Sequence, residues 1–308
     1  MRNNGLLLIS LFSILSVFNL SSQQHQRLPF QPDSRQLKIL SWNIYMLPYV
    51  SWFNRNARRA RVIGTQLQDS DFHIIVFQEA FSIKCRRIMR KMLANKYPYQ
   101  YGPANASLWP FKTNSGLWIL SKIPLNELKT IRFHTSKGYD KIARKGAALL
   151  EGEFDGKKFQ LMATHLQANN PHQIRQSQCK ELSQLLGEFY REDIPQILCG
   201  DFNTEMSDRE NYEQMLETLD AQNGELAGSL KVTYDRCNNN LARQPNGKGE
   251  IIDYILTRNS HLIDKIQRNV LEFYHTEPNY KTHLSDHYAI EATLGFSSFS
   301  VSAMIADH

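Results

Sequence analysis

The sequence predicts an α+β fold in which helices pack on two sheets, and three observations carry that expectation. Apolar, β-branched and aromatic runs of strand length recur along the chain, and several follow one another with no helix between them. Joins such as FDGK (Phe154–Lys157) are hairpin-sized. Helical patterns are few, whereas a doubly wound parallel sheet needs a crossover after nearly every strand.

Taken in order, LKILSWNI (Leu37–Ile44) and HIIVFQE (His73–Glu79) read as strands, with a helix marked by Val62, Ile63 and Leu67 between them. A second helix, marked by Ile88, Met89, Met92 and Leu93, precedes the strands Ser115–Ser121, Gly146–Phe154 and Lys158–Leu166. A third, marked by Ile174, Leu182, Leu185, Leu186 and Phe189, leads into QILCG (Gln196–Gly200). There Gly200 is expected to turn the chain, with Phe202 packed inward. A fourth helix, marked by Tyr212, Met215, Leu216 and Leu219, is followed by the strands Ile251–Leu256 and Tyr288–Leu294. No repeat, low-complexity tract or linker interrupts the pattern, so one domain is expected.

At 308 residues the chain can bury a full core, and its composition is that of a globular protein rather than a disordered one. A net charge of +6 favours an anionic partner, whether nucleic acid, phospholipid or phosphate-bearing substrate, and does not choose among them. Residues 1–22 have the order of a secretory signal peptide: Arg2, an apolar run from Gly5 to Leu20, then small polar residues, with cleavage expected near Ser22. The alternative is an uncleaved anchor. A polar leader follows over 23–36, and 299–308 reads as a tail. Secretion, extracellular or periplasmic, permits disulfides, but Cys85, Cys179, Cys199 and Cys237 show no zinc or redox spacing, and Cys199 reads as a buried thiol.

The strands repeatedly end in residues that do chemistry. Asn43 closes the first and Glu79 the second; His165 closes another; Asp201 and Asn203 follow QILCG; Asp253 lies in IDY; Asp286 and His287 precede the last strand. Singly, each has a structural explanation: a cap, a helix-start carboxylate, an Asx turn at Asp201–Asn203, a satisfied core histidine. Together, on one sheet edge, they would gather carboxylates, amides and imidazoles around one point.

The succession WN, QE, TH, GDFN, DY and SDH resembles the metal-dependent endonuclease/exonuclease/phosphatase superfamily, over about Leu37 to Phe296. That resemblance implies a deoxyribonuclease-like, four-layer α/β/β/α sandwich and a catalytic domain over 37–298. WNIYMLP (Trp42–Pro48), KGYDKIARKGA (Lys137–Ala147) and THLQA (Thr164–Ala168) are similar to secreted bacterial and neutral sphingomyelinases of the phospholipase C type. The implied reaction is magnesium-dependent hydrolysis of sphingomyelin to ceramide and phosphocholine, with manganese or cobalt as substitutes. A sphingolipid at a membrane surface is then the partner, with peripheral membrane contact, no nucleic acid, and a monomeric enzyme.

By the same resemblance Glu79 is the principal metal ligand, with Asn43 beside it and Asp286 near the metal or its waters. Hard oxygen donors of this kind suit magnesium. His287 is the expected base, because imidazole titrates near neutral pH, and Asp253 its anchoring carboxylate. Asp201 would orient the attacking water, Asn203 would donate to a phosphoryl oxygen, and His165 to the phosphate or departing oxygen. Lys145 reads equally as a phosphate contact or a surface lysine, with Asp140 placed to steer it.

A nuclease is the competing enzyme. RNARRAR (Arg55–Arg61) and KCRRIMRK (Lys84–Lys91) are basic, but both are expected on solvated helix faces. A catalytically inactive membrane-binding module would lose metal or base positions, and all are present. SLWPF (Ser107–Phe111), Trp118 and Tyr139 offer aromatics for a quaternary ammonium, with a core role expected for Trp118. The segment before SDH, Glu272–His287, is short, and Phe273, Tyr274 and Tyr280 suit either a bilayer interface or the core.

Overall fold

The computed structural model describes residues 35–47, 55–106, 114–169, 171–277 and 280–297. The signal peptide, the leader up to residue 34, the SLWPF aromatics and the tail lie outside the described residues. In chain order the elements begin β1 (Gln36–Asn43), α1 (Asn56–Gln68), β2 (Ile74–Gln78), α2 (Ile83–Leu93), β3 (Tyr99–Tyr101) and β4 (Trp118–Ser121). Next come β5 (Leu125–Arg132), α3 (Asp140–Ala143), β6 (Gly146–Phe154), β7 (Lys157–His165), α4 (His172–Glu188), β8 (Gln196–Asp201) and α5 (Arg209–Leu219). The short strands β9 (Leu226–Ala227), β10 (Tyr234–Asp235) and β11 (Gly249–Glu250) precede β12 (Asp253–Arg258) and β13 (Ile263–Leu271). The chain then forms the hairpin β14 (Tyr274–Glu277) and β15 (Tyr280–His283) before β16 (Ala289–Phe296).

Seven strands form one sheet in the order β3-β4-β2-β1-β16-β13-β9, and five form a second in the order β12-β8-β7-β6-β5. Strand alternation gives each sheet two apolar faces. Ile39, Ile74 and Ile290 of the first sheet share one core with Leu150, Leu161 and Ile197 of the second. On its other face the first sheet packs Trp42, Phe77 and Leu120 against Ile63 of α1 and Met89 of α2. The second sheet packs Leu149, Leu198 and Leu256 against Leu182 of α4 and Met215 of α5. Three interlayer cores mean four layers, α/β/β/α.

Some elements depart from expectation for clear reasons. Strands β5 and β13 were not expected. β5 is an edge strand, half of it exposed, with a register irregularity between Glu127 and Lys129, and Asp264, Lys265 and Gln267 mask the alternation of β13. The FDGK join is a two-residue hairpin, with Asp155 at φ 50° and Gly156 at φ 72°. Gly200, however, is not the turn. It lies inside β8, where a Cβ would sit 2.2 Å from the Thr164 carbonyl oxygen of the neighbouring β7, so close strand approach requires glycine there. The left-handed residue is Asn203, at φ 49°.

The basic stretches are not wholly solvated faces either. Arg59 and Arg86 are buried, while Arg58, Arg61, Arg87 and Arg90 are exposed. Arg59 donates to the carbonyls of Ile44, Tyr45 and Leu284, and Arg86 to those of Ala80 and Phe81. All four cysteines are free thiols, and Cys199 is fully buried.

Candidate active site

Strand parity builds the site. Ile39 of β1 faces the inter-sheet core, and four residues further on the same face is Asn43. By the same alternation Leu161 and Ala163 lead to His165 on β7, Ile197 and Cys199 lead to Asp201 on β8, and Ile255 follows Asp253 on β12. Direction brings these ends together. β1 runs parallel to β2 and β7 parallel to β8, so each pair finishes at one edge. β12 and β16 run antiparallel to their neighbours and start there. His165 is therefore in register with Asp201, and Asp201 with Asp253.

The buried groups are closely coupled. His287 Nδ1 lies 2.8 Å from Asp253 Oδ2, and its Nε2 lies 3.8 Å from Asp201 Oδ2. Burial opposes a charge on His287, but Asp253 and Asp201 outweigh it and hold the imidazole well above its ordinary value. Asn43 Nδ2 donates to Asp201 Oδ2 at 3.0 Å, and Asp201 Oδ1 accepts from the backbone N–H of Asn203 at 2.9 Å. The second contact is the Asx turn, so Asp201 turns the chain with one oxygen and faces the cluster with the other. Phe202, between them, is fully buried in the α4/α5 core. Asn203 Nδ2 donates to Leu166 O at 3.1 Å.

Lys145 is not a surface residue. It is buried, with Nζ 3.1 Å from Asp140 Oδ1, 2.8 Å from Leu166 O and 2.9 Å from His165 Nε2. A lysine donor at Nε2 makes that nitrogen the acceptor and assigns the ring proton to Nδ1, a buried atom with no hydrogen-bond partner. Burial, Lys145 and His287 together push His165 well below its ordinary value, so it is neutral. Asp140 also accepts from the Ala168 N–H at 2.7 Å, tying the α3 segment to the end of β7.

On the other side stands Glu79, at φ 53° immediately after β2. Burial and the neighbouring Asp286 carboxylate raise it to about 7, and Asp286 is itself raised by burial. Asp201 is raised to about 6 by burial and Asp253. Glu79 Oε2 is inaccessible to solvent and has no hydrogen-bond partner. An orphaned carboxylate oxygen among raised carboxylates, with Asn43 nearby, is the donor set that a hard divalent cation satisfies. Asp201, Asp253 and His287 also bring ligand-type atoms within 4.8 Å of one another, so this edge of the sandwich can hold a metal. Two of those three are already hydrogen-bonded to each other, which makes the Glu79 side the better match.

Supporting residues were not evident from sequence. Thr233 Oγ1 accepts the backbone N–H groups of Ile252 and Asp253, at 3.0 and 3.2 Å, and the Tyr234 ring lies 4.8 Å from that of His287. Trp42 Nε1 donates to His287 O at 3.0 Å, and Ser285 Oγ donates to Asn43 O at 2.6 Å. These contacts span far-apart positions, and no local pattern in VTYD or SDH announces them. Of the aromatics, Trp118 is core and Tyr139 is 90% exposed, so neither joins the cluster. Phe273 stacks on Trp42 with ring centroids 4.6 Å apart, Tyr274 is exposed with Lys281 over its ring, and the Tyr280 side chain lies outside the described residues.

The Endonuclease/Exonuclease/phosphatase family matches residues 40–287. Sphingomyelinase C of Leptospira interrogans is 29% identical over 78% of this chain, which spans 47% of that protein, about half its length. Phospholipase C of Staphylococcus aureus is 29% identical over 74% of this chain and 76% of its own. The crystal structure of a Staphylococcus aureus beta toxin double mutant with bound magnesium ions superposes with a TM-score of 0.72. It is 27% identical and covers 83% of this chain and 99% of its own.

Proposed function

The chain belongs to the endonuclease/exonuclease/phosphatase family, whose members here are hydrolases of the phosphodiesterase type, and from that premise we propose a secreted, magnesium-dependent sphingomyelin phosphodiesterase. Phospholipase C-type cleavage would yield ceramide and phosphocholine at a membrane surface. The observation that carries the reading is the pairing of two features at one edge: a buried carboxylate oxygen on Glu79 without a partner, and an imidazole on His287 anchored by Asp253.

Glu79, Asn43 and Asp286 would hold the cation. Bound there, it would withdraw charge from the phosphoryl oxygens and offset the carboxylates that raise His287. His287 is the group that accepts the proton of the attacking water, at Nε2, while Asp253 fixes the tautomer through Nδ1 and stabilises the imidazolium. Asp201, 3.8 Å from His287 Nε2, orients that water. Asn203 offers its remaining amide hydrogen to a phosphoryl oxygen as charge builds. His165, held neutral beside Lys145 and with Nε2 3.4 Å from Asp201 Oδ2, serves the phosphate or the departing oxygen rather than acting as a second base. Lys145 holds its tautomer, and Asp140 holds Lys145.

The test is to incubate purified protein and magnesium with sphingomyelin liposomes and, separately, with plasmid DNA. Phosphocholine release that stops with EDTA and with Glu79→Ala is the expected result. Nicked plasmid with untouched lipid favours the nuclease instead.

A further inference from the structure

The segment between β5 and β6 ends in a surface that the catalytic cluster does not use. Tyr139 is 90% exposed and Ile142 42% exposed. Three residues apart across the single turn of α3, they project on the same side. The stretch Ile131–Lys145 carries five basic residues and one acidic residue. That one acid, Asp140, is already engaged by Lys145 and the Ala168 N–H. Lys137 and Lys141 are exposed. An aromatic with a polar tip, an aliphatic neighbour and flanking lysines match the interfacial zone of an anionic bilayer, where tyrosine sits at headgroup level and lysines reach phosphates.

The base of this segment is fixed to the site. Gln167 accepts from the Lys137 N–H at 2.9 Å and donates to Lys137 O at 3.2 Å, and Lys145 contacts His165 and Leu166. Whatever seats the tip therefore brings the end of β7, with His165, to the same surface. We propose that Tyr139 and Ile142, flanked by Lys137 and Lys141, form a wedge that docks the enzyme on anionic membrane and sets its active-site edge against the lipid headgroups. The proposal rests on the membrane substrate assigned above. It assigns the contact to a segment other than the hairpin, before which Phe273 packs on Trp42 and within which Lys281 lies over the Tyr274 ring.

Docking is measured without turnover, on full-length Glu79→Ala protein in EDTA, by co-sedimentation with phosphatidylcholine/sphingomyelin vesicles containing phosphatidylserine. Tyr139→Ser with Ile142→Ser is expected to weaken binding by about tenfold or more, as expected for withdrawing two apolar side chains from an apolar zone. Lys137→Gln with Lys141→Gln should remove the preference for phosphatidylserine vesicles over neutral ones. In otherwise wild-type protein the Tyr139/Ile142 variant should lose vesicle hydrolysis by the same factor while cleaving a water-soluble nitrophenyl phosphodiester at the original rate, which also shows it is folded. Unchanged vesicle binding by both variants overturns the proposal even if phosphocholine is released. Self-association of the parent protein that Tyr139→Ser abolishes, with vesicle binding unchanged, overturns it too and identifies a second copy as the occupant. Vesicle binding that needs Tyr139, with no phosphocholine released by the wild type, sustains the docking site and refutes the substrate assignment.

Discussion

Asp253 and His287 belong to strand ends 34 positions apart, yet their side chains meet at 2.8 Å. A carboxylate at Nδ1 leaves Nε2 as the atom that exchanges protons. Asp253→Asn can donate its amide to Nδ1, which moves the ring proton to Nε2 and removes the base. Steady-state kinetics should then show kcat lower by about 10³–10⁴ with KM little changed. A fall of less than tenfold would mean that His287 does not act as the base. Asp201 shows why a single motif is ambiguous: one oxygen closes the Asx turn while the other accepts from Asn43. The turn and the site are the same residue.

At the scale of elements, the position of Glu79 depends on a neighbour that carries no chemistry. Gly116, at φ 75°, packs against the Glu79 backbone, where a Cβ would lie 3.0 Å from both Cα and N. Its carbonyl accepts the Ala80 N–H at 2.9 Å. Gly116→Ala therefore combines a strained backbone with a displaced Glu79, and should cost about 1–3 kcal/mol in denaturant unfolding. Magnesium affinity by calorimetry should fall with it, and unchanged affinity would show that the β2 end tolerates the shift. The ends of the apolar runs made Asn43, His165, Asp201 and Asp253 candidates, because strand period fixes which face a residue takes, and the family resemblance gathered them into one site. Arg59 could not be read this way. Its position in a basic run suggests solvent, while its role as donor to the Leu284 carbonyl depends on chain 225 residues away. Thr233 could not be read either, because its hydroxyl accepts from backbone 19 and 20 residues further on, nor could β5 and β13, whose partly exposed residues show no clean alternation.

Across the whole molecule, the cluster is a concentration of buried ionisable groups whose protonation couples stability to pH. Glu79 and Asp201 are raised to about 7 and about 6, and His287 stands well above 6.5. Each retains a proton in the native state that the unfolded chain releases at lower pH, so metal-free stability falls as pH rises through that range. His165, lowered, acts in the opposite sense, but only as pH falls below 6.5. Between pH 6.5 and 8 Glu79 and His287 carry the slope, because Asp201 has largely released its proton below that interval. The Tm in EDTA should drop by a few degrees over that interval, on the order of 1 kcal/mol for a domain of this class. Magnesium should flatten the slope and raise Tm most at pH 8. An equal rise at pH 5 and pH 8 would place the cation away from Glu79 and Asp286. The four-layer architecture was legible from the strand-rich pattern and the family resemblance, and the three apolar cores realise it.

The central claim is that water, activated at this edge, attacks phosphorus and expels the lipid alkoxide. Hydrolysis of sphingomyelin vesicles in oxygen-18 water, followed by mass spectrometry of both products, tests it directly. One heavy oxygen in phosphocholine and none in ceramide is the predicted outcome. Heavy oxygen in the ceramide hydroxyl, or free choline in place of phosphocholine, would contradict it.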